Sequence, residues 1–131
     1  MSNKVKLVRI STVPHSLDLL LKGQMNYMKT NGFEVVMMSR GGAEVRGLIE
    51  REQCEWVEVP LSREFSVWSD LKALFHIVRL FHEMKPDIVH SHSPKAGTVA
   101  QLAAFICRVP LRVHTVAGLP LVEYTGTKRI V

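Results

Sequence analysis

The chain of 131 residues is 47% hydrophobic and 22% charged, which describes one globular domain, or part of one, rather than a disordered or fibrous segment. Its formal net charge of +5 suits anionic partners. However, the basic residues are scattered among acidic ones and aromatics make up only 7%, which speaks against a nucleic-acid surface. Cys54 and Cys107 stand far apart in apolar segments, as small buried hydrophobes rather than a redox or zinc motif.

Lys4 to Ile10 reads as a first strand with no secretory leader before it. No uncharged stretch is long enough to span a bilayer. A cytoplasmic protein is expected, with contact at the inner membrane face left open. Ser11 to His15 forms the loop after that strand. Here a dinucleotide fold would place its glycine-rich fingerprint, yet the first glycine is Gly23, and no Walker lysine motif occurs. Ser16 is expected to cap one helix running to Thr30, with Leu17, Leu20, Leu21, Met25 and Met28 as its buried stripe and Asn31-Gly32 as its left-handed end. Gly23 inside that helix costs about 1 kcal/mol relative to alanine.

Phe33 to Ser39 is apolar almost throughout, as a parallel strand covered on both faces should be. Arg40-Gly41-Gly42 turns the chain into a short charged helix, Ala43 to Glu52. Cys54 to Val59 alternates strictly and is expected near a sheet edge, since Glu55 and Glu58 must reach water. The longest helix runs from Ser66 to Met84. Its expected buried stripe is Trp68, Leu71, Phe75, Val78 and Phe81, with His76 and His82 in solvent.

Ile88 to His92 is the fourth strand, released from the helix by Pro86. Ser93 is placed as the N-cap of a helix reaching Val109, with Pro94 in its first position. Lys95 would then sit where the helix dipole disfavours a cation, either pointing into water or facing an anion with the first-turn N–H groups. Gly97 would let that anion approach. Leu111 to Ala117 is the fifth strand, broken by Gly118-Leu119-Pro120. The order β-α-β-α-β-α-β-α-β implies an α/β fold, a Rossmann-like parallel sheet with helices on both faces and ligands beyond the carboxyl ends of its strands.

His90, His92 and His114 invite comparison with a three-histidine zinc site. Apart from Asp87, at the far end of its strand, no carboxylate is available to orient them, so no metal is expected. A Ser–His–carboxylate triad lacks its GxSxG elbow.

The run Pro86 to Gly97 (PDIVHSHSPKAG), followed by Val113 to Gly118 (VHTVAG), resembles the N-terminal domain of GT-B glycosyltransferases of family 4, especially the bacterial surface-polysaccharide type. Gly32 to Val35, Leu119-Pro120 and the order of elements share the likeness. The resemblance implies a retaining transferase in which residues 1–131 are a partial N-terminal, acceptor-side domain. It implies that an absent C-terminal domain binds the nucleotide sugar, with no metal and no further cofactor. The acceptor, a glycan or lipid-linked sugar, would meet Pro14, His15, Ser16, His92, Ser93, Lys95, Gly97, His114 and Gly118. Many relatives carry histidine where this chain has Ala117, so no catalytic residue is assigned. The chain alone is expected to be inactive and, with an uncovered sheet edge, to self-associate. Two other readings stay open: a stand-alone module for a phosphorylated small molecule, and half of a GT-B sugar epimerase.

Overall fold

The computed structural model describes residues 4–19, 22–62 and 66–115. Within them the chain runs β1 (Val5–Ile10), α1 (Pro14–Leu19), α2 (Gln24–Thr30), β2 (Phe33–Ser39), α3 (Val45–Glu52), β3 (Glu55–Glu58), α4 (Val67–Met84), β4 (Ile88–His92), α5 (Pro94–Ile106) and β5 (Leu111–Thr115). The strands form one sheet in the order β3-β2-β1-β4-β5, parallel at every pairing. This is the Rossmann-like half-domain expected, with β3 at an edge. β1 lies in the middle because its apolar residues alternate onto two covered faces. Val8 and Ile10 pack with Val36, Met38 and Val89 against α4 and α5. Leu7 packs with Val35 and Met37 against Leu17 of α1, Met25 of α2 and Leu48 of α3.

Three expectations need correction. The helix foreseen from Ser16 to Thr30 starts at Pro14 and is broken in two, with Gly23 at φ 83° before α2. The break is held from outside the helix: Glu52 accepts the N–H groups of Gly23 at 2.8 Å and Asn26 at 3.0 Å. Burial alone would raise the Glu52 pKa, but the Arg51 hydrogen bond and these two N–H groups outweigh it and hold the carboxyl below its ordinary value.

The α4 stripe is also rotated. Ala73, Ile77 and Phe81 are buried, whereas Trp68 and Phe75 are 77% and 70% exposed. α4 is apolar over a wide arc, so its period does not choose a face; the small Ala73 lets that side approach the sheet closely. Thirdly, the helix foreseen to Val109 ends at Ile106, and Cys107 is half-buried rather than buried. The end of the fifth strand beyond Thr115 lies outside the described residues. Among the described residues no helix is long and apolar enough to cross a membrane.

Candidate functional site

Three corners meet at the carboxyl rim of the sheet. The Thr12 N–H donates to Ser93 Oγ at 3.3 Å, and the two hydroxyls lie 2.9 Å apart. The Arg40 N–H donates to the Thr12 carbonyl at 3.1 Å. Gly42 sits so close to the Pro14 ring that a Cβ there would come within 2.8 Å of Pro14 Cγ. The corners after β1, β2 and β4 are thus physically joined, with His15 exposed beside them. The side chain of Ser16 and the whole of Gly118 lie outside the described residues.

Ser93 stands at the N-cap position of α5, with Pro94 following it, but its hydroxyl makes no cap hydrogen bond. It reaches Thr12 instead, from a backbone at φ 74°, ψ 150° that costs a non-glycine residue on the order of 1–3 kcal/mol. Lys95 takes neither of the orientations weighed from sequence. It is 7% exposed, and its Nζ lies 3.0 Å from Asp70 Oδ1. Asp70 occupies the first turn of α4, where the dipole favours an acid, and its carboxylate offsets the poor placement of the lysine. Any anion approaching the first turn of α5 meets a cation already paired. Gly97 also has a different use: a Cβ would lie 2.4 Å from His114 Cε1, so the missing side chain is the seat of that imidazole.

Strand alternation sends the residues of β4 to opposite faces. On the α1–α3 side, His90 and His92 stack with ring centroids 4.3 Å apart. Arg9, opposite His90 on β1, donates from Nε to His92 Nε2 at 3.1 Å and from Nη2 to Gln24 Oε1 at 2.9 Å. His90 Nε2 pairs with the Thr115 hydroxyl. Burial first, then the Arg9 charge, lowers the pKa of His90 to about 4 and that of His92 to about 3. Both imidazoles are therefore neutral at neutral pH. Since His92 Nε2 accepts from Arg9, its ring proton belongs on Nδ1.

On the α4–α5 side, Ser91 Oγ lies 2.8 Å from His114 Nδ1 and accepts from Gln101 Nε2 at 2.8 Å. Gln101 Nε2 also reaches the Val113 carbonyl at 2.8 Å. The Ser91–His114 pair has the contact of a nucleophile and its base. Its hydroxyl is fully buried and tied to an amide, and among the described residues no carboxylate stands behind the imidazole. His114 thus stands across the sheet from His90 and His92, and the three do not converge on one point. Among the described residues no group of three His, Cys, Asp or Glu side chains is placed to hold a metal ion.

Residues 21–131 match the family model described as glycosyl transferase 4-like domain. The chain belongs to this family. It is 36% identical over 126 residues to a Staphylococcus aureus capsular polysaccharide biosynthesis glycosyltransferase, CapM, covering 96% of this chain and 32% of that protein. It is 26% identical over 129 residues to an Escherichia coli UDP-Gal:alpha-D-GlcNAc-diphosphoundecaprenol alpha-1,3-galactosyltransferase, covering 97% of this chain and 33% of that protein. A glycosyltransferase from Rickettsia africae shares the fold at TM-score 0.67 and 17% identity, over 96% of this chain and 35% of its own. The chain spans about a third of the length of the curated relatives it matches.

Within this glycosyl transferase 4-like domain, the sequence reading missed Arg9, Gln24, Asp70 and Gln101. Arg9 had one available signal, a charge inside an otherwise apolar strand flanked by Val8 and Ile10. The other three are polar residues on helices, which sequence alone cannot separate from solvated ones.

Proposed function

We propose that the domain forms the acceptor side of a retaining, nucleotide-sugar-dependent glycosyltransferase of bacterial surface-polysaccharide synthesis. The observation that carries this reading is the 36% identity to the capsular enzyme over almost the whole chain. The joined corners at the carboxyl rim support it, since ligands of parallel α/β sheets bind there. In this reading Pro14, His15, Ser16, His92, Ser93, Lys95, Gly97, His114 and Gly118 border the acceptor. Ser93 and Thr12 hold the corner rigid, and neutral His92 keeps Arg9 in place without adding charge.

A second domain holds the nucleotide sugar, without metal, and supplies the donors that stabilise the departing diphosphate. The acceptor is a growing glycan or a lipid-linked sugar, in keeping with the diphosphoundecaprenol substrate in the name of the E. coli relative. The enzyme then works in the cytoplasm at the inner membrane face. Exposed Val67, Trp68 and Phe75 offer apolar groups to that surface. Exposed Leu102, Phe105, Ile106 and Leu111 make the 131-residue chain self-associate.

The test is an assay of the full-length protein that contains this domain, using nucleotide sugars and undecaprenyl-diphosphate-linked acceptors. Transfer with retained anomeric configuration is expected from it and none from the 131 residues alone. Interconversion of free nucleotide sugars without transfer would replace this reading with a sugar epimerase. Saturable binding of a phosphorylated small molecule, with neither reaction, would replace it with a binding module.

A further inference from the structure

A depression of about 410 Å³ beside α2 is lined by Arg9, Lys22, Gly23, Gln24, Tyr27 and Met28. Two of these six are cationic and none is acidic. Arg9 is 4% exposed, and both of its hydrogen-bond acceptors, His92 Nε2 and Gln24 Oε1, are neutral. Among the described residues no carboxylate lies within ion-pair distance of its guanidinium. Glu52, whose carboxylate holds the start of α2, is fully buried and taken up by Arg51, Gly23 and Asn26. Burial depresses the Arg9 pKa, so desolvation of this charge is not repaid within the described residues.

Buried guanidinium groups are ordinarily paired, and their planar fork matches a phosphate or carboxylate with two parallel hydrogen bonds. Nε and one Nη2 hydrogen are directed to His92 and Gln24. The Nη1 edge has no acceptor among the described residues, and Arg9 forms part of the wall of the depression. We propose that this depression is an oxyanion site, in which the Nη1 edge of Arg9 and the ammonium of Lys22 hold a phosphate or carboxylate group. The group belongs to a bound ligand. The site lies beside α2, one hydrogen bond from His92 and the corner after β4, and it does not require the joined corners to bind an acceptor.

The experiment is a low-salt titration of the 131-residue chain with inorganic phosphate and with acetate, followed by NMR of the Arg9 Nε–H and the Gln24 side-chain amide. Saturable shifts of both signals are expected. Lys22→Glu, a change at an exposed position that leaves packing intact, should weaken phosphate binding roughly tenfold or more. Arg9→Lys, which keeps the charge and loses the fork, should weaken it as well. The proposal is overturned if none of these proteins binds either anion, or if binding survives Lys22→Glu and Arg9→Lys unchanged.

Discussion

The two faces of β4 carry polar clusters built to different rules. Toward α5, Ser91, His114 and Gln101 close on one another through hydrogen bonds, and Gly97 leaves the space into which the imidazole fits. Toward α2, His90, His92 and Gln24 surround a buried guanidinium that they can solvate but not neutralise. The first arrangement is held by hydrogen bonds among its own members. The second holds a charge in place and leaves one side of it open. Polar residues in a sheet therefore report structure or binding according to whether their bonds and charges are balanced locally, not according to residue type.

The comparison can be strained at four points. Among the substitutions compared at neutral pH, the largest effect is expected at the α5 side, where Lys95→Met removes the partner of Asp70. We expect a loss of about 1–2 kcal/mol, kept modest because the Asp70 side chain is 30% exposed. Chemical denaturation would measure it, and a double change with Asp70→Asn should cost less than the sum of the two single changes.

The α2 side should instead reveal itself through pH. His92 titrates near 6.5 when unfolded and at about 3 when folded, so the unfolded state binds the extra proton. Its contribution is intact above 6.5 and is lost as pH falls toward 3, at about 1.4 kcal/mol per pH unit. Denaturation midpoints between pH 7 and 5 should fall less steeply in His92→Gln.

A smaller effect, about 1 kcal/mol, is expected from Gly97→Ala, because the ring that must yield belongs to an exposed strand. Added to His114→Ala, the same change should cost nothing further. The smallest expected effect is none. Excess zinc should leave the melting temperature unmoved, because His114 stands on the other face from His90 and His92. A rise abolished by His92→Ala would show that the imidazoles can converge after all.

Strand positions were legible in the sequence because parallel strands covered on both faces appear as short apolar runs between turn residues, as Phe33–Ser39 does, while Ile88–His92 was marked by its β-branched start just after Pro86. The corner at Ser93-Pro94 was legible for similar local reasons. The partner of each side chain was not. Ser93 bonds Thr12 and Lys95 pairs with Asp70 through contacts set by tertiary packing, which no window of neighbouring residues contains. α4 shows the same limit on a larger scale, since a helix apolar over most of its circumference has several stripes of the right period. Likewise, the split between α1 and α2 depends on Glu52, a residue from a later helix.

The place of β1 has a consequence for synthesis on the ribosome. Its pairing with β2 can form as soon as the first helices are made, but its other side waits for β4, whose approach is fixed by Lys6 and Asp87, 81 residues apart. At roughly 5–20 residues per second that wait lasts seconds, during which Leu7, Val8 and Ile10 present an apolar strand edge with unpaired N–H and C=O groups. A nascent chain stalled between β3 and β4 would be the form most exposed to strand capture by a neighbour, and chaperone contact should concentrate in that interval.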